Sequence, residues 1–228
     1  MAMVNPKISV VIPAKNEAPT IRDIIKEAKR HAFEVLVIDG NSQDATRKIA
    51  REEGAKVFQA IGTGKGKAVR LGIEKAQGNI IVFMDADGSH DARDIPKLIV
   101  PIISKDGADI VIASRTRGGS DELQGNIDKC LRLIGSAIIN LIINLRWKQE
   151  LTDAQNGFRA IKTKVAASLN LRENTTTIEQ EMVMKALKKG YKIGEISSHE
   201  YARRYGTSVI VLKEVWAKYV YSLLKNLF

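Results

Sequence analysis

Residues 79–87 read NIIVFMDAD: five apolar side chains, Ile80 through Met84, and then two aspartates separated by one alanine. A short unbroken apolar run of this kind reads as a strand buried on both faces. The pattern recurs upstream, where residues 8–12 (ISVVI) stop at Pro13 and residues 34–38 (EVLVI) stop at Asp39. A weaker strand is expected at 56–58 and another at 109–114 (DIVIAS). Between the strands the apolar residues take helical spacing. Ile21, Ile24, Ile25 and Ala28 share one face of a helix over 20–31, and further helices are expected over 43–53, 67–75 and 95–103. This alternation predicts an α/β fold: a mainly parallel sheet with helices on both faces. Its crossovers should be right-handed.

After Arg115 the rhythm changes. Residues 116–128 carry Gly118, Gly119 and Gly125 among several charges and read as a loop. An apolar helix over 129–147, a turn at 152–157 and a strand at 158–161 follow. A helix over 179–189 closed by Gly190, a strand at 192–196 and an amphipathic segment over 209–228 complete the chain. No repeat or low-complexity tract interrupts it. A single domain over 1–228 is expected, with a first half at 1–115, a second at 116–208 and a C-terminal helix at 209–228.

The lone cysteine, Cys130, excludes an internal disulfide framework and fits a reducing compartment. Residues 1–7 show no cleavage-site pattern, so no signal peptide is expected. The longest apolar candidate, 133–145, falls short of the roughly 18–20 residues a spanning helix needs and contains Ser136, Asn140 and Asn144. The expected location is cytoplasmic and peripheral on the cytoplasmic membrane face. Charge supports a surface role. The chain has 36 Lys and Arg against 26 Asp and Glu, a net +10. Residues 1–128 hold 19 basic and 18 acidic residues, whereas 129–228 hold 17 and 8, so the second half carries +9. Such a surface suits nucleic acid, an anionic membrane or a phosphorylated ligand.

Open α/β sheets bind ligands outside the carboxyl ends of their strands. Glu17, Asp39, Asp85 and Asp87 all follow strands, and four converging acids call for a cation or a donor-rich ligand. In Asp85-Ala86-Asp87 the alternate residues of an extended segment point the same way. Their oxygens suit a hard cation, Mg2+ or Mn2+, bridged to phosphates; an acidic turn is the plainer alternative. His90 reads as a loop residue or an outer contact of that site. Residues 62–67, GTGKGK, lack the spacing of a phosphate loop, although Lys65 could lie near a ligand. No GxGxxG follows the first strand, which excludes a dinucleotide-binding dehydrogenase.

The blocks VIPAKNE (11–17), VIDGNSQDAT (37–46), GKG (64–66), MDAD (84–87), ASR (113–115), TDAQNGFR (152–159) and RRYGTS (203–208) stand in one order across the chain. Together they resemble glycosyltransferase family 2, the inverting nucleotide-sugar enzymes of the GT-A fold, a Rossmann-like sheet. Within it they are similar to the dolichyl-phosphate mannose and glucose synthases. The resemblance implies a single GT-A domain with a helical acceptor side. It implies a nucleotide-sugar donor near Pro13, Ala14, Glu17 and Asp39, and a metal-held diphosphate at Asp85, Ala86 and Asp87. Arg115 would meet the transferring sugar and phosphates. Arg132 and Arg203, with Arg204 beside it, would meet the acceptor phosphate. The alternative for these arginines is a solvated basic face or, for Arg115, a surface ion pair. The chain departs from many relatives at Gly40 and Ser89, where an acid and a glutamine are usual, and at Val209, where a lysine is usual.

A phosphate acceptor is already ionised at neutral pH, whereas a hydroxyl acceptor needs a base, for which Asp153 is the candidate. Capping of the 152–157 turn is its structural alternative. Helices at 133–145 and 209–228 could lie in a membrane interface, with Trp216 and Tyr219 at headgroup level; core packing or a homodimer contact would use the same residues. The reading these features favour is transfer from GDP-mannose or UDP-glucose to a polyprenyl (dolichyl) phosphate. A small soluble phosphorylated acceptor, as in glucosyl-3-phosphoglycerate synthases, is the alternative. No nucleic-acid partner is expected, because aromatics make up only 5% and no base-reading motif is present.

Overall fold

The computed structural model describes residues 6–62, 64–121, 127–205 and 212–227. The apolar runs form the strands expected of them. In chain order the first half is β1 (Ile8–Ala14), α1 (Ile21–Lys29), β2 (Glu34–Asp39), α2 (Thr46–Glu52), β3 (Lys56–Gln59), α3 (Lys65–Lys75), β4 (Ile80–Phe83), α4 (Ile95–Ile103) and β5 (Ile110–Ser114). The second half is α5 (Arg115–Gly118), α6 (Ile127–Trp147), β6 (Arg159–Lys162), α7 (Thr163–Ser168), α8 (Ile178–Lys188), β7 (Ile193–Ser197) and α9 (Leu212–Leu227). Two elements escape the periodicity reading. One-turn α5 lies where only loop was expected, and six-residue α7 is too short to display a helical repeat.

The seven strands form one sheet in the order β3-β2-β1-β4-β6-β5-β7. β1 pairs in parallel with β2 and β4, β2 with β3, and β5 with β7. β6 alone runs opposite, inserted between β4 and β5 with Arg159 opposite both Phe83 and Ile112. The sheet is therefore mainly parallel, with one reversed strand whose direction the apolar pattern did not reveal.

Alternation along each strand sorts the core into two layers. Val10, Ile12, Val35, Val37 and Val82 pack on α1, α2 and α4, where Ile21, Ile24, Ile25 and Ala28 form the buried stripe read from their spacing. Val11, Leu36, Ile38, Ile81 and Phe83 face α3, α6, α7, α8 and α9. Each fully buried aliphatic side chain contributes roughly 1.5–3 kcal/mol, so the sheet has one core on each face.

α3 lies close enough to β1 that a Cβ on Gly72 would meet Val11 Cγ1 at 2.3 Å. Helix propensity favours alanine over glycine by about 1 kcal/mol, but overpacking against a β-branched core residue costs about 1–3 kcal/mol. Gly72→Ala is therefore expected to destabilise the fold, and urea denaturation would show a lower midpoint.

Candidate active site at the carboxyl edge of the sheet

β1, β2 and β4 run in one direction, so residues 13–17, 39–42 and 85–90 leave the sheet at the same edge. β5 delivers Ser114 and Arg115 there, and β7, parallel to β5, delivers 198–204. Because β6 is reversed, the turn before it, residues 152–157, arrives at that edge as well.

Asp39 is fully buried at the end of β2, and its carboxylate accepts the main-chain N–H groups of Asn41 (3.1 Å) and Ser42 (3.1 Å). The loop after β1 is laced to this turn. Asn16 N–H donates to Ser42 Oγ (2.9 Å) and Glu17 N–H to Thr46 Oγ1 (2.8 Å). Pro13 and Ala14 end β1 beside it, with Ala14 buried. Thr20 Oγ1 donates to the carbonyl of Ala86 at 2.6 Å, tying the same loop to the Asp-Ala-Asp segment. Burial, and next the neighbouring Asp87, raise the Glu17 carboxyl above the usual carboxylate range; Asp85 adds to the effect. Three of the four acids read from the strand ends, Glu17, Asp85 and Asp87, are thus close enough to repel one another, and Asp39 stands apart in its own turn.

Two cations answer that repulsion. Lys65 Nζ, at the start of α3, stands 2.6 Å from Asp85 Oδ1 and 2.9 Å from Glu179 Oε1 in α8. Burial would raise the Asp85 carboxyl, but Lys65 and then His90 hold it well below the ordinary range. Burial would likewise lower the Lys65 ammonium, yet Asp85 and Glu179 push it up. His90 Nε2 lies 3.5 Å from Asp85 Oδ2 and its ring stacks on Phe158 at 5.1 Å, the outer contact expected of it. Asp87 accepts from Ser89 Oγ (2.6 Å), with Arg203 Nη2 at 3.1 Å. Arg203 thus closes over the second aspartate. Arg204 reaches outward, with Nη1 3.8 Å from Asp23. Gly157 makes the crowding possible, since a Cβ there would sit 2.7 Å from Lys65 Nζ and 3.1 Å from Asp85 Oδ2.

On the other side of the edge, Arg115 forms a two-pronged pair with Asp153, from Nε to Oδ2 (2.7 Å) and from Nη2 to Oδ1 (2.8 Å). Glu200 Oε1 lies 3.3 Å from Arg115 Nη1. Asp153 is 2% exposed and also accepts the Arg115 main-chain N–H at 3.0 Å. Both of its oxygens are engaged, so it orients Arg115. Glu179, Glu195 and Glu200 carried no motif in the sequence. Their one signal is acidic residues inside an otherwise basic and apolar second half.

Lys65, Asp85, Asp87, Arg115, Asp153, Glu179, Glu200 and Arg203 line a cavity of about 490 Å³, whereas Pro13, Ala14, Glu17, Asp39 and Arg204 lie outside its lining. Asp85, Asp87, Lys65 and Arg203 occupy its polar end, while Leu133, Ile134 and Ile139 of α6 and Trp216 of α9 form an apolar wall. Exposed Ile138, Leu141, Leu145, Val220 and Leu224 extend the apolar character outward along the same two helices. Arg132 belongs to α6, but its side chain, like residues 206–211, lies outside the described residues. No helix among the described residues is long and apolar enough to cross a membrane.

Among the described residues no group of three or more His, Cys, Asp or Glu side chains could hold a metal ion by itself. Two carboxylates in Asp-x-Asp spacing on the cavity wall nevertheless fit Mg2+ or Mn2+, which are commonly bound by one or two carboxylates plus substrate phosphates.

Comparison with known proteins supplies independent grounds. A family model described as glycosyl transferase family 2 matches residues 9–169. Glycosyltransferase AglJ of Haloferax volcanii is 33% identical over 202 residues, covering 88% of this chain and 65% of its own length. Dolichol-phosphate mannosyltransferase of Pyrococcus furiosus is 30% identical over 232 residues, covering 96% of this chain and 64% of its own length. The chain thus spans about two thirds of each of these relatives. Glucosyl-3-phosphoglycerate synthase from Mycobacterium tuberculosis, solved with Mn2+, UDP and glucosyl-3-phosphoglycerate, superposes with a TM-score of 0.78. The match covers 97% of this chain and 80% of that one at 22% identity, which shows a shared fold.

Removing one partner of a buried ion pair leaves the other charge uncompensated. Asp153→Ala is expected to lower the unfolding free energy by about 3 kcal/mol, and Asp153→Asn by less because an amide oxygen can still accept from Arg115. Urea denaturation at neutral pH measures both.

Proposed function

The chain belongs to glycosyl transferase family 2, and from that premise we propose that it moves a hexose from a nucleotide sugar, GDP-mannose or UDP-glucose, onto a polyprenyl phosphate at a membrane surface. The observation that carries this reading is the two-ended cavity, in which paired carboxylates and cations meet an apolar wall that continues to the exposed faces of α6 and α9. A nucleotide diphosphate suits the first end and a lipid-linked phosphate the second. The dolichol-phosphate mannosyltransferase among the relatives supports the same choice of acceptor.

In this reading Pro13, Ala14, Glu17 and Asp39 surround the base and ribose, and Asp85 and Asp87 hold the cation with the diphosphate, Ala86 between them. When bound, Mg2+ or Mn2+ offsets the negative charge that grows on the leaving group. Lys65 and, from the other side of the edge, Arg115 contribute fixed positive charge to the cavity, oriented in advance by Glu179, Asp153 and Glu200. Arg132 and Arg203, with Arg204 at the rim, orient the acceptor phosphate. An oxygen of that phosphate forms the new bond to the anomeric carbon from the face opposite the diphosphate. The old carbon–oxygen bond breaks with its electron pair leaving on the nucleoside diphosphate, so configuration inverts. An ionised phosphate needs no proton removed, which agrees with an Asp153 committed to Arg115.

Thermal shift with GDP- and UDP-sugars tests the donor end. One of them is expected to stabilise the protein in Mn2+ well beyond its effect without metal, and Asp85→Asn or Asp87→Asn should remove the metal-dependent part. Stabilisation that ignores both Mn2+ and these substitutions would sink the metal-assisted site. Flotation with phosphatidylglycerol vesicles tests the acceptor end. Binding that weakens in high salt is expected for a basic surface. A protein that never floats yet glycosylates 3-phosphoglycerate would replace the lipid acceptor with a soluble one.

A further inference from the structure

The segment that leaves β7, residues 198–204, is stitched to both sides of the cavity through its main chain. The N–H groups of Tyr201 and Arg204 donate to the carbonyls of Ser89 and Asp87, at 2.9 and 3.2 Å, on the Asp-Ala-Asp side. Those of Ser198 and Glu200 donate to Ser114 and Gly119, at 3.3 and 3.0 Å, and Asp121 N–H donates back to Glu200 at 2.8 Å. The 118–121 turn comes very close, since a Cβ on Gly118 would meet the Ser198 carbonyl at 2.2 Å and Gly119 takes φ +94°. Glu200 reaches the cavity, where it accepts from Ser120 Oγ and pairs with Arg115.

His199, the residue before Glu200, fastens the same turn. Its Nδ1 lies 3.1 Å from the Gly118 carbonyl and its Nε2 3.0 Å from Asp121 Oδ1, with the Tyr201 ring edge-on at 4.7 Å. A carbonyl and a carboxylate offer only lone pairs, so each ring nitrogen must bring a hydrogen. Neutral imidazole carries one N–H and imidazolium two. The two contacts together are therefore those of the imidazolium. The acids around the ring, Asp121 from the turn and Glu200 from its own segment, favour that form. The cations nearby are engaged elsewhere: Arg115 with Asp153 and Glu200, Arg117 with Glu195, and Arg203 with Asp87. Asp94, behind the segment, takes Ser198 Oγ and Lys97. The Gly118 carbonyl raises the imidazole above its ordinary 6.5; desolvation opposes this, and Asp121 and Glu200 add to it.

We propose that His199, in its doubly protonated form, clasps the 118–121 turn to the segment after β7 and so positions Glu200 and, through it, Arg115. Loss of one hydrogen leaves either the Gly118 carbonyl or the Asp121 carboxylate facing a ring lone pair. The turn that supplies Ser120 to Glu200 is then released on that side. The clasp contributes fully below the ordinary 6.5 and is lost as pH rises through the raised value of His199. His199 touches neither ligand nor reacting atoms; it is a positioning residue. In the reading above Arg115 meets the transferring sugar and phosphates, so a proton on His199 governs how firmly the donor is held. That consequence rests on the donor reading, whereas the clasp itself does not.

Proton NMR follows the ring protons of the three histidines against pH, with His199 identified by its loss in His199→Gln. The His199 midpoint is expected above 6.5, and Asp121→Asn should lower it. The nitrogen resonance of Arg115 Nε–H, identified by its loss in Arg115→Lys, should move with the same midpoint in wild type and stay still in His199→Gln. Titration calorimetry in Mg2+ with UDP-glucose and GDP-mannose reads the donor site on either side of that midpoint. Below it, His199→Gln should weaken whichever donor binds by about two- to fivefold, the range of an exposed ion pair. Above it, His199→Gln and wild type should bind alike. Comparison at each pH cancels the titration of other groups, and a general structural defect would weaken binding equally on both sides. A His199 midpoint at or below 6.5, or one that Asp121→Asn leaves in place, overturns the clasp. An Arg115 resonance that ignores His199, or a His199→Gln effect equal on both sides of the midpoint, overturns the positioning role. Failure of both nucleotide sugars to bind wild type overturns the donor reading, and the NMR titrations of His199 and Arg115 then decide the inference by themselves.

Discussion

The guanidinium of Arg159 is 1% exposed and donates to the carbonyls of Ala154, Asn156 and Glu179. Burial lowers its pKa to about 10, so it stays charged at neutral pH. Those three carbonyls belong to the 152–157 turn and to the first turn of α8, two segments with no strand pairing of their own at this edge. Through them Arg159 positions Asp153 against Arg115, Gly157 against Lys65 and Asp85, and Glu179 against Lys65. A hydrophobic side chain of similar size could fill the space, but it would remove the donor that the carbonyls of Ala154, Asn156 and Glu179 share. The reversed direction of β6 is what brings Arg159 to the carboxyl ends of β4 and β5, so sheet topology and site geometry are one constraint.

Around that anchor the charges alternate. Lys65 stands between Asp85 and Glu179, Arg115 between Asp153 and Glu200, and Arg203 against Asp87. Each of these three cations is held by carboxylates, which fixes its direction in advance. Such pre-orientation lets fixed charge act on a leaving group without reorganisation during the reaction. Burial first, and then Asp87, raise the Glu17 carboxyl beside this array.

Strand existence was legible because buried parallel strands are unbroken apolar runs, and each acid at a strand end could be placed once the strands were known. The helix stripe of Ile21, Ile24, Ile25 and Ala28 was legible for the same reason: burial leaves a period. What the chain concealed are properties with no period. The reversal of β6 depends on which neighbour it pairs with, not on its own four residues. α7 is shorter than the repeat that would reveal it. Glu179 and Glu200 act through partners more than eighty residues away, Lys65 and Arg115, and nothing local marks such pairs. Arg203 was read as facing the acceptor, while its guanidinium stands on Asp87, a contact that only the folded chain brings about.

The asymmetric charge gains a sharper meaning from this geometry. The near-neutral half, residues 1–128, holds the acids proposed to gather a cation, and much of the basic excess lies beyond residue 128. Two of those later charges are already engaged within the protein. Arg159 is spent internally and Arg203 is committed to the site. What remains for an anionic surface is carried in part by Arg146, Lys148, Lys218 and Lys225, which lie on or directly follow the two helices that also expose Leu141, Leu145, Val220 and Leu224. Basic residues flanking an apolar stripe are the composition that binds anionic lipid in the plane of its surface. Because the same helices wall the cavity through Ile134 and Trp216, the lipid-borne phosphate proposed as acceptor would already stand beside the cavity.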